Sequence, residues 1–119
     1  MLLVAAGLAS LLALGHSYLG ERYILIRLFR SDLPKLFGGT EFTRGTLRFA
    51  WHLTSIAWLS LAAILVKLNS HVPSRAELGI LLASTFATSA VVALFGSRGR
   101  HLSWVVFSVQ ALLTWLGTR

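Results

Sequence analysis

LRFAWHLTSIAWLSLAAILV, residues 47–66, is twenty positions long and carries a single charge, Arg48, near its start; Lys67 follows directly. A bilayer's hydrocarbon core of about 30 Å asks for about 20 mostly apolar residues per helix, so this run reads as a membrane span. Working outward, comparable runs occupy 2–23, 78–96 and 102–117. The breaks between them hold turn residues: Ser31, Asp32, Pro34, Gly38 and Gly39 in the first loop, Asn69 to Ser74 with Pro73 in the second, and Ser97-Arg98-Gly99-Arg100 in the third. Within 119 residues, 55% hydrophobic and only 13% charged, this leaves one transmembrane domain over 1–119. Short second and third loops imply antiparallel neighbours, and the expected fold is an all-α, four-helix up-and-down bundle.

The net charge of +7 would suit nucleic acid in a soluble chain, but the hydropathy argues for orientation instead, with no nucleic-acid partner. Loops one and three share a side, and with their helix ends they carry Arg22, Arg27, Arg30, Lys35, Arg44, Arg48, Arg98 and Arg100. The opposite side has Lys67, Arg75 and Arg119, so the count is eight against three. By the positive-inside rule, loops one and three face the cytoplasm and both termini lie outside. The first run is expected to stay as a span rather than act as a cleaved signal: no Lys or Arg precedes it and no clear A-x-A site follows. In the basic loop, 24–46, and just before it, Arg22, Arg27 and Arg30 alternate with Ile24, Leu25, Leu28 and Phe29. That pattern suggests a helix at headgroup level touching anionic lipid. The absence of cysteine excludes disulfides, thiolate metal sites and palmitoylation.

Lipid gives helices no hydrophobic reason to associate, so protein-facing sides are sought among small and polar residues. In the first span Ala6, Ala9, Ser10, Ala13, His16, Ser17 and Gly20 form one helical stripe. In the second, Arg48, His52, Ser55 and Leu59 share a face flanked by Trp51 and Trp58. The third carries a hydroxyl band of Ser84, Thr85, Thr88 and Ser89, which is the first candidate partner for Gln110 in the fourth. The polar interior is thus expected to comprise Arg48, Ser17, Ser55, Ser84, Thr88 and Gln110.

Depth follows from distance to the nearest loop. His16 lies about 7 Å and His52 about 6 Å inside the positive end, and His101 opens the fourth helix there, joined by Glu21. Imidazole suits transition metals, so His16, His52, His101 and Glu21 are candidate ligands of a divalent metal ion. Axial ligation of a haem b by His16 and His52 is a second possibility. A plainer alternative has His16 and His52 bonded to Ser17, Ser55 or a backbone carbonyl, and Glu21 paired with Arg48 or Arg22. Ser17 beside His16 and Ser55 near His52 are the available nucleophile–base pairings, but no third member or oxyanion hole is visible, so the reading leans away from an enzyme.

GHSYLGERYIL (15–25), RFAWHLTSIAW (48–58) and SRGRHLSWVVF (97–107) resemble segments of small four-helix inner-membrane proteins of bacteria. The resemblance covers most of the chain and implies a multi-pass fold and an inner-membrane location, without an activity. Three roles stand as expectations. One is a structural or accessory subunit that packs on other membrane proteins or on its own copies. Another is a metal- or haem-binding membrane protein, and the third is a small oligomeric transporter.

Overall fold

Inside hydrocarbon a backbone has no water to bond, so each apolar run must satisfy its own N–H and C=O groups as helix. The computed structural model describes residues 1–119 and is all-α. We number the helices α1 (Leu2–Leu28), α2 (Glu41–Ser70), α3 (Arg75–Gly96) and α4 (Ser103–Gly117). The first three, of 27, 30 and 22 residues, are long and apolar enough to cross a membrane. At 15 residues, α4 rises only about 22 Å, so the span expected over 102–117 is shorter than a full crossing. Even so, α4 runs back along most of α3: Thr118 packs at Gly79, and Arg75 Nη2 donates to the Gly117 carbonyl at 2.6 Å.

Two boundaries differ from the sequence expectation. The stretch 22–28 is not a separate helix in the headgroup plane, because α1 continues through it by way of a π turn at Gly20–Leu25. No proline or turn cluster interrupts the chain before Ser31, so nothing ends the helix at Tyr23. On the other side, α2 begins at Glu41, which shortens the basic connection to 29–40.

Apart from Leu25 and Phe49, the buried apolar positions are small, as membrane packing favours. Ala6, Ala13, Ala62, Ala83, Ala90 and Ala93 are buried, whereas Leu8, Leu11, Val106 and Leu113 are exposed. The expected α1 stripe does face α2, with Ala6, Ala13 and Gly20 buried along it. Where α2 crosses the end of α3, a Cβ on Gly45 would strike the Gly96 carbonyl, so only glycine permits that approach. At the opposite end Glu77 ties the α2–α3 hairpin. It completes a capping box with Ser74 and accepts from Lys67 Nζ at 2.9 Å, with His71 Nε2 at 3.0 Å.

The helices run up and down, but they do not close into a bundle. α1 packs on α2, α2 on α3 and α3 on α4, while α1 and α4 do not meet. The result is a row one helix thick, 50 × 32 × 14 Å. In a bilayer, lipid tails would solvate the leucine-rich faces, and hydrophobicity would supply no force to fold the row onto itself.

Candidate functional site

Ser17 and Glu21 lie four residues apart on α1 and project from one face; His52 and Ser55 answer them from α2. Ser17 Oγ donates to Ser55 Oγ at 2.8 Å and lies 2.9 Å from His52 Nδ1. The other ring nitrogen, Nε2, faces Glu21 Oε2 at 3.5 Å. Arg48 grips the same carboxylate side-on, Nε to Oε2 at 3.1 Å and Nη2 to Oε1 at 2.8 Å, in the bidentate geometry that guanidinium favours. Its Cζ sits 4.9 Å from the Phe29 ring centre.

This chain of contacts, Ser55–Ser17–His52–Glu21–Arg48, crosses the α1–α2 seam. The sequence singled out all five residues, and the pairings match the plainer alternative for His52 and Glu21. The cluster is half-exposed rather than buried: side-chain exposure is 48% for Arg48, 31% for Glu21 and 29% for His52. A row one helix thick has too little depth to enclose it.

His16 and His101 go elsewhere. The His16 ring stacks on Trp51, centroids 4.5 Å apart and planes 3° off parallel, and meets Trp58 edge-on at 5.0 Å. Its Nε2 is buried without a hydrogen-bond partner. Trp51 reaches this position because a Cβ at position 20 would overlap its indole; with Gly20 there, Nε1 donates to the His16 carbonyl at 3.0 Å. His101 packs against Phe42 and Phe49, and its Nδ1 accepts from the Ser103 backbone N–H at 3.2 Å at the start of α4. His16, His52, His101 and Glu21 therefore do not converge, and no group of three His, Asp or Glu side chains is placed to hold a metal ion. Equal depth implied proximity only for a closed bundle. Nor does the α1–α2 seam leave space for a haem, since Ser17 touches Ser55 and the Trp51 indole fills the gap at Gly20.

The hydroxyl band likewise turns inward on its own helix. Ser84 donates to the Leu81 carbonyl, Ser89 donates to that of Thr85, and Thr85 Oγ1 lies 2.7 Å from both the Leu81 carbonyl and Ser60 Oγ on α2. Thr88 and Gln110 are exposed, and Gln110 makes no bond to the band.

Composition hinted at a further feature only as an excess of charge. At the positive end, a cleft of about 430 Å³ opens between the end of α1, the first turns of α2 and the α3–α4 turn. Its walls carry Arg30, Arg44, Arg48, Arg98 and Arg100 with one carboxylate, Glu41. In sequence these arginines are scattered over seventy positions and read as orientation signals; the Gly45–Gly96 crossing is what brings them together.

An all-helical chain with three helices long and apolar enough to cross a membrane is the class these observations define. No protein-family model, curated protein or solved structure matches it.

Proposed function

We propose that this chain is a small multi-pass structural or accessory subunit of the inner membrane, packing against other membrane proteins or its own copies. Loops one and three would face the cytoplasm and both termini the other side, as the arginine distribution favours. The observation that carries the reading is the open row, 14 Å thick. One layer of helices cannot surround a solute path or a cofactor, and it leaves Gln110 and Thr88 on open helix faces. Polar groups at membrane depth favour protein partners over lipid tails, each interhelical hydrogen bond contributing about 0.6 kcal/mol on average.

Photo-crosslinking in native membranes tests this. A photoreactive amino acid at Gln110 or Thr88 is expected to give discrete protein adducts, either with another membrane protein or at twice the chain's mass. Exclusive labelling of lipid from both positions would remove the support for the reading.

A further inference from the structure

We propose that the arginine-lined cleft is a binding site for a phosphate group, carried either by an anionic phospholipid headgroup or by a soluble phosphate ester. Five guanidiniums converge there from three separate elements, and two carboxylates oppose them. Glu21 is committed to Arg48, and Glu41 reaches Arg98 only at 3.8 Å, with both side chains largely exposed. Three positive charges remain unmatched (five minus two) inside one concave surface, where converging charges strengthen the field on an anion.

The site is also built, rather than a loose collection of surface charges. Arg44 Nη2 donates to the Phe29 carbonyl at 3.0 Å, which anchors the guanidinium in the wall. Its Nε is buried and has no acceptor in the protein. Arg98 and Arg100 ride on a turn fixed by Gly99 N–H donating to the Leu94 carbonyl at 2.7 Å and Arg100 N–H donating to that of Ser97 at 3.1 Å. Arg98 itself takes the left-handed position, φ 52°, that closes the C-terminal turn of α3, its N–H donating to the Phe95 carbonyl at 3.2 Å. The α2 N-terminus lies beside the same cleft, and Thr40 gives it no side-chain cap. Ile26 and Phe29 add an apolar wall suited to the glycerol and first methylenes of a lipid.

The test uses the full chain in detergent micelles, with bound lipid measured by native mass spectrometry. Dioleoylphosphatidylglycerol is expected to be retained over dioleoylphosphatidylcholine, and the double variant R98Q/R100Q to lower that retention about tenfold. The variant R22Q/R27Q removes the same charge at the same end but outside the cleft, where both arginines lie beside Tyr23, and is expected to retain the lipid. A second arm titrates inorganic phosphate into lipid-free micelles. Saturable binding there, lost in R98Q/R100Q and displacing phosphatidylglycerol, assigns the site to soluble phosphate esters. Binding of phosphatidylglycerol unaffected by inorganic phosphate assigns it to lipid. Equal retention of both lipids with no phosphate binding, or equal losses in the two double variants, overturns the proposal. The single variant R44Q, checked for helicity, is expected to weaken binding in the same arm as R98Q/R100Q.

Discussion

At the scale of single residues, the α1–α2 seam turns on Gly20. Its missing side chain seats the Trp51 indole, which in turn covers His16 and bonds its carbonyl. Gly20→Ala is therefore expected to destabilise the chain by about 1–3 kcal/mol, the usual cost of overpacking. In a Trp51→Ala background the same substitution should cost much less, since the space it needs is then free. Thermal unfolding of the four proteins in micelles measures the cycle, and purely additive losses would contradict the seating of Trp51 on Gly20. This pair also marks the limit of reading chemistry from sequence. Ser17, Glu21, Arg48, His52 and Ser55 were legible because charge and imidazole within a span are conspicuous and their depth can be counted. What counting cannot supply is lateral position. His16 and His52 lie at similar depth, yet one ring is packed among indoles while the other joins Ser17 and Glu21.

At the scale of elements, the π turn Gly20–Leu25 carries α1 past its expected end and sets the azimuth of Ile26 and Phe29 in the arginine cleft. Such a turn holds an extra residue relative to an α-helix, and the sequence gives no signature for it. The small-residue stripe of α1 could be read because it repeats at helical spacing; a change of pitch within one turn leaves no period to detect. Deleting Tyr23, which is exposed, should remove that extra residue, restore α-helical pitch and leave the residues that follow close to their present azimuth. Helicity and the packing of Ala6 and Ala13 on α2 are expected to survive, because both lie before the turn. Retention of phosphatidylglycerol should persist, because Phe29 and its carbonyl contact to Arg44 keep their register. Lost retention in native mass spectrometry would show that the extra residue does more than keep the cleft residues in register.

At the scale of the whole molecule, hydropathy and loop length were enough to foresee helices in an up-and-down order. They were not enough to decide between a closed bundle and an open row, since both have the same spans, the same loops and the same charge asymmetry. The difference lies in whether α1 meets α4, and it matters for function because only a closed arrangement could gather His16, His52 and His101 about one point or surround a path for a solute. The chain has no cysteine, so labels can be placed without background. Spin labels at Leu12→Cys on α1 and Val109→Cys on α4, diluted with unlabelled chain in lipid nanodiscs, report the separation by pulsed dipolar spectroscopy. Three interhelical spacings of about 9 Å place the two helices about 27 Å apart in the row. A closed bundle would bring them to about 10 Å, and a distance distribution centred there would contradict the open architecture.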